Sequence, residues 1–210
     1  MTTDRIETFS DGVFAVAITL LVLDIHVPDA SSTSQLWHGL GHLWPNYASY
    51  AVSFLVIGII WVNHHGVMDV IARANRQIAF LNVVLLLTVA VIPFSTSLMA
   101  RYLQEGGGRS HVAAAVYSAV FTLMGAAFAS LWLYASRGGR LLVEGYTEAE
   151  VRGITRRFVS GTPVYLVTIG VAFLSAVACL ALHAALAVFY ALAERGGGVT
   201  RPAAAAEPRG

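Results

Sequence analysis

The chain has 210 residues, of which 57% are hydrophobic and only 12% charged, against roughly 25% charged in an ordinary soluble domain. With a mean hydropathy of +0.68, there is too little charge to coat a soluble fold, and lipid is the expected solvent for most of the surface. The basic residues are all arginine and form no cluster interleaved with aromatics, which excludes nucleic acid as an expected partner. The single cysteine, Cys179, excludes an internal disulfide and C-x-x-C metal spacing; in its apolar run it reads as a small buried hydrophobe.

The N-terminus superficially resembles a signal peptide, with Arg5 before an apolar stretch and Asp29-Ala30-Ser31 after it. Asp11 and Asp24 interrupt that stretch and the cleavage pattern is poor, so it reads as a retained first helix starting near Asp4, apolar from about Phe9 to Val27. Pro28 to Pro45 reads as a loop, and Trp37, Trp44 and Tyr47 suit a membrane–water boundary. The second span is predicted over about Tyr47–Val67 and the third over about Ile78–Met99, kinked at Pro93. A glycine turn at Gly106-Gly107-Gly108 leads to a fourth span over about His111–Ala135. Glu148–Arg157 suits a short amphipathic or juxtamembrane helix.

From Phe158 to Ala193 no residue carries a formal charge. One helix over that stretch would be about 54 Å long, against a hydrocarbon core of about 30 Å. Two spans are therefore expected, roughly 161–179 and 181–194. With six spans, eleven arginines fall on the side of both termini and only Arg101 and Arg109 on the other, a positive-inside bias that places both ends in the cytoplasm. The expectation is an all-α membrane protein of the plasma membrane with six transmembrane helices in one domain, residues 1–195, followed by a disordered tail over 196–210.

The first helix carries the unusual chemistry. An ionisable residue such as Asp11 near a membrane span is costly and usually faces protein or water, although an acid early in a helix is also favoured by the helix dipole. Ser10 adjoins Asp11. Asn63, His64 and His65 near the end of the second span, and Asn82 early in the third, reach the same cytoplasmic half, which makes an interhelical polar network plausible. Adjacent histidines point in different directions on a helix, so one of His64 and His65 can join the network while the other reaches the interface. No metal set is read there, because a structural zinc needs four ligands. His26, His38, His42, His111 and His183 are scattered near loops or a span boundary.

Arg5-x-x-x-Phe9-Ser10-Asp11 matches the R-x-x-x-F-S-D signature of the transmembrane protein 175 family of potassium channels, and the chain resembles that family over roughly its first 100 residues. The run Gly12–Leu23 resembles the first pore helix of prokaryotic members. Ile59-Ile60-Trp61-Val62-Asn63-His64-His65 and Leu86-Leu87-Thr88-Val89-Ala90-Val91-Ile92-Pro93-Phe94 are similar to its second and third spans. The resemblance implies a homotetramer in which each first helix lines a central pore. It further implies a filter of aliphatic rings at Val16, Leu20 and Leu23 with Thr19 beside them, in place of a T-V-G-Y-G carbonyl filter. Position 16 is commonly a bulkier Ile or Leu in the family, so Val16 implies a wider or more easily wetted ring. In four copies, Asp24 and Asp29 would form an acidic outer mouth that concentrates cations; they also suit ordinary solvated loop acids.

The expected activity is passage of potassium and other monovalent cations, with membrane lipid as surroundings and no cofactor. A proton-coupled carrier and a non-conducting scaffold stay open as alternatives. An enzyme is not expected, since the chain has no nucleophile–base pair, metal cluster, Walker pattern or Rossmann pattern.

Overall fold

In lipid, every backbone N–H and C=O must find its partner within the protein, which turns long apolar runs into helices. The computed structural model describes residues 3–139 and 141–194 and is accordingly helical. Helix α1 spans Thr3–Leu20 and tightens into a 3-10 turn at Leu21–Asp24. It is followed by α2 (Thr33–His42), α3 (Trp44–Val70), α4 (Arg76–Tyr102) and α5 (Gly107–Ser136). A 3-10 turn at Arg137–Gly139 leads on to α6 (Glu148–Ala172) and α7 (Ala176–Glu194). The tail over 196–210 lies outside the described residues.

Local chemistry explains most boundaries. The Asn75 side chain accepts from Ile78 N–H (2.9 Å) to start α4. Thr147 and Glu150 cap α6 reciprocally, in a capping box. Gly106 and Gly107, both at φ +67°, make the turn into α5 that a side chain would strain. Helix α4 runs through Pro93 as one element. At the end of the bundle where α3 stops, Ala72 N–H donates to Leu141 O (2.8 Å) and Val143 N–H to Val70 O (2.9 Å), tying the α3–α4 connection to the α5–α6 connection.

Three sequence readings need correction. Pro28–Pro45 is not all loop, because it contains α2. There the Ser32 hydroxyl accepts from Gln35 N–H while Gln35 Oε1 accepts from Ser31 N–H. The charged stretch Glu148–Arg157 is not a separate helix but the first turns of α6. The break between the last two helices falls at Phe173–Ser175, not near residue 180, because Ser175 caps α7 through Ala178 N–H (3.2 Å). A lone serine in an apolar run is an inconspicuous stop signal.

By length and composition, four helices among the described residues are apolar enough to cross a membrane: α1 with its 3-10 turn, α3, α4 and α5. Helix α6 begins with charged turns, and α7 has a shorter apolar window, Ala176–Leu192. Large apolar side chains such as Leu87, Phe94, Leu123, Val167 and Phe189 point outward from the bundle, the distribution lipid contact requires.

Helix α5 is the hub, packed between α4 and α6 and burying Tyr117, Phe121, Met124 and Trp132. Helix α1 sits against α3 and α4 by one face only: Ile6, Ser10, Phe14, Ala17 and Leu21 are buried. Their spacing of three and four residues is one stripe of a helix. Two further buried clusters knit the bundle. Ser53 meets both Thr96 (2.7 Å) and the Tyr117 hydroxyl (3.0 Å). His183, read from sequence as lying near a loop or span boundary, is fully buried on α7 among Tyr117, Phe121 and Tyr165. It donates from Nδ1 to the Cys179 carbonyl (2.9 Å). Cys179 is itself buried.

The Ser53 junction yields a test. Tyr117→Phe leaves Ser53 bonded to Thr96 and is expected to cost about 1 kcal/mol, the net value of an ordinary hydrogen bond. Ser53→Ala strands the Tyr117 hydroxyl in the core and should cost more, about 1–3 kcal/mol. Unfolding of the purified variants in detergent checks the order; equal stability of Ser53→Ala and wild type contradicts it.

Candidate functional site on the first helix

A polar residue on the packed face of an apolar helix must be satisfied by another helix. Ser10 is fully buried and donates to the Ile6 carbonyl one turn back (2.7 Å). Its oxygen accepts from the Asn82 amide of α4 (2.9 Å). The Asn82 carbonyl oxygen in turn accepts from His64 Nε2 of α3 (2.7 Å). Asn82 and His64 are both buried, so a chain of three side chains joins three helices in the core. The Phe14 ring packs against His64 at 5.5 Å between centroids, and His64 Nδ1 has no hydrogen-bond partner.

Two contacts flank this chain on α3. Trp61 Nε1 donates to an Asp11 carboxylate oxygen (2.8 Å). His65 Nδ1 lies 2.5 Å from Glu7. The two histidines divide as their adjacency requires, His64 inward and His65 outward.

Not every expected member joins. Arg5 and Phe9 are exposed on the open face of α1. Asn63 faces the other side of α3, donating to its own helix at Ile59 O (2.9 Å) and lining a cavity with Arg157 and Tyr190. Its position one residue from His64 turns it away, a displacement of about 100°. Trp61 and Glu7 were not foreseen. Trp61 stood within the second-span motif, but an exposed tryptophan near a span end reads first as an interfacial anchor.

The opposite face of α1 is open. Val16 (57% exposed), Leu20 (43%) and Leu23 (67%) project from it, and Thr19 is exposed beside them. Val16, Leu20, Phe9 and Gly12 line a concavity of about 480 Å³ along that face, with Ala90 of α4 at its edge. The Thr19 hydroxyl donates back to its own helix, at 2.9 Å from the carbonyls of both Ala15 and Val16, which leaves its oxygen lone pairs directed away from that helix bond. Leu23 lies on the 3-10 turn, beyond the α-helical part. The Asp24 carbonyl accepts from Asn46 (3.1 Å) and faces His26 Nδ1 (3.0 Å); Asp24 is half-buried and Asp29 exposed.

Fold and site together define an α-helical membrane protein whose first helix is gripped on one face by polar bonds and bare on the other, where Arg5 at its start is followed by the uncharged side chains of Phe9, Val16, Thr19 and Leu20. A family model described as endosomal/lysosomal potassium channel TMEM175 matches residues 5–93. A potassium channel of Streptomyces collinus is 50% identical over 186 residues, covering 89% of this chain and 90% of that protein. The crystal structure of a lysosomal potassium-selective channel TMEM175 homolog from Chamaesiphon minutus superposes with a TM-score of 0.82 at 37% identity, covering 92% of this chain and 98% of that one. The endosomal/lysosomal proton channel TMEM175 of Gallus gallus is 33% identical over 152 residues, 69% of this chain but 29% of that longer protein. The chain belongs to the TMEM175 family.

Removing Asn82 tests the grip. Asn82→Leu keeps the branched shape but strands the His64 imidazole, at an expected cost of about 1–3 kcal/mol. In a double-mutant cycle with His64→Leu the two losses should be coupled by about 0.5–3 kcal/mol. Strict additivity in detergent unfolding would show that the two side chains do not act together.

Proposed function

We propose that this protein is a subunit of a potassium-preferring monovalent cation channel. In this reading four copies assemble with the open face of each α1 toward a central axis, and six helices, α1 and α3–α7, cross the plasma membrane with both termini in the cytoplasm. The observation that carries it is the division of α1: Ser10, Phe14 and Ala17 are buried against α3 and α4, while Val16, Thr19, Leu20 and Leu23 stand exposed as an uncharged stretch of the open face. The family membership and the channel names of the relatives support it.

The chemistry follows from that face. A ring of aliphatic side chains holds no dipole that replaces an ion's hydration shell, so ions pass at least partly hydrated and the ring closes by expelling water. Potassium surrenders its water more readily than sodium, which gives the preference its direction. Thr19 adds an oxygen whose proton is already engaged by the helix, an arrangement that suits a cation. Val16, one methylene smaller than isoleucine or leucine, makes its ring the wider one. Asp24 and Asp29, on the arginine-poor side, raise the local cation concentration at the outer mouth.

A second reading is favoured by one observation: the Gallus gallus relative is named a proton channel. Protons would then pass along the same hydrated path on the open face of α1.

The deciding experiment is flux in liposomes holding purified protein, with opposed potassium and sodium gradients and a pH-sensitive dye inside. Voltage-following potassium flux that exceeds sodium flux is expected. Val16→Ser and Leu20→Ser should each lower the potassium preference, and Thr19→Val, which keeps the shape but loses the oxygen, should lower it as well. Unchanged ion preference in all three variants would remove the filter from α1. Dye quenching without potassium flux would move the assignment to the proton reading.

A further inference from the structure

Two histidines four residues apart on one helix face the same way, and that spacing lets both imidazoles reach one metal ion. His38 and His42 stand in this relation on α2. Both are exposed. Their Nε2 atoms already converge to 3.3 Å, with ring centroids 4.4 Å apart. At zinc–nitrogen distances of about 2.0–2.1 Å, two nitrogens so placed subtend about 107° at the ion, near the tetrahedral angle.

Without a metal, the two Nε2 atoms hold one proton between them, since one must donate and the other accept. A metal ion takes the place of that shared proton once the donor ring carries its hydrogen on Nδ1 instead, with no net proton released. The rings need not move far. The helix that carries them is seated on both sides. Gln104, in the turn just after α4, donates to the His42 carbonyl (3.3 Å). Gly39 lies so close to Pro28 that a Cβ there would come within 2.7 Å of it. A concavity of about 380 Å³, lined by His38, Gly41, His42, Trp44 and Gln104, opens beside the rings and leaves space for coordinated water.

We propose that His38 and His42 form a binding site for a divalent transition metal of zinc type. Among the described residues no group of three or more histidine, cysteine or acidic side chains gathers to hold a metal, so this site has two protein ligands and completes its shell with water. It is therefore an open, exchangeable site, not a structural one. Imidazole nitrogen selects zinc, nickel and copper over magnesium and calcium, which prefer oxygen. The site is independent of the channel reading, because it is tested by binding alone.

The experiment is calorimetric titration of tag-free, full-length protein in detergent with zinc chloride, and with magnesium chloride as control. One saturable zinc per subunit and no magnesium binding are expected. His38→Ala and His42→Ala should each weaken zinc at least tenfold, while His26→Ala leaves it unchanged. Helix α2 has no buried residue, so these variants are expected to fold, and size-exclusion profiles verify it. A spacing control, His42→Ala combined with Leu40→His, keeps the histidine count but points the rings apart and should not restore binding. Absence of saturable zinc binding in the wild type would overturn the proposal, as would an affinity that both single variants leave intact or that the spacing control restores.

Discussion

The hydrogen bond from Asn82 to Ser10 sets the rotation of α1 about its own axis. On a helix that advances about 100° per residue, fixing one side chain fixes the direction of all the others. Apolar packing in lipid discriminates weakly between rotations, because lipid tails are as apolar as leucine. A buried amide that must be satisfied discriminates strongly. With Ser10 held inward, Phe14, Ala17 and Leu21 follow it into the bundle, and Val16, Leu20 and Leu23 are left outside. The open face of α1 is thus a consequence of a contact on its closed face.

Asn82 can serve only because His64 holds its other end. An amide has a donor side and an acceptor side; here the donor side grips α1 and the acceptor side grips α3, so orientation and identity are both constrained. Trp61 and His65 extend the grip along α3 by taking Asp11 and Glu7. Behind these three helices, α5 supplies a rigid backing through Tyr117, whose hydroxyl meets Ser53 of α3 and whose ring meets His183 of α7.

Much of this was legible in the amino-acid sequence, for physical reasons that also mark the limit. Charge-free runs declare helices, and Asp11 inside such a run declares a polar contact. Alternating helix direction then brings His64, Asn82 and Ser10 to one level. What spacing along the chain does not disclose is which way a helix is turned. Asn63 looked as able a partner as His64, yet it faces another cavity. Arg5 and Phe9 belong to the same signature as Ser10 and Asp11 but stand on the open side of α1. Glu7 and Trp61 were given no partner, because a first-turn acid and a tryptophan near a span end each have an ordinary explanation. Ser175 capped α7 with a single hydroxyl amid 36 uncharged residues, a signal too small to place by composition. The His38–His42 pair escaped for a related reason: Pro28–Pro45 looked like loop, and four-residue spacing aligns side chains only where the backbone is helical.

The change from α to 3-10 winding at Leu21 has a geometric outcome of its own. In α winding, residues three apart are offset by about 60° around the axis; in 3-10 winding they eclipse, and each residue climbs about 2.0 Å in place of about 1.5 Å. Leu20 and Leu23 straddle the change, so Leu23 is swung toward the same meridian as Leu20 and lifted away from it. The end of α1 therefore carries its two leucines as a stacked pair, two storeys of one wall, where continuous α winding would have splayed them across the face.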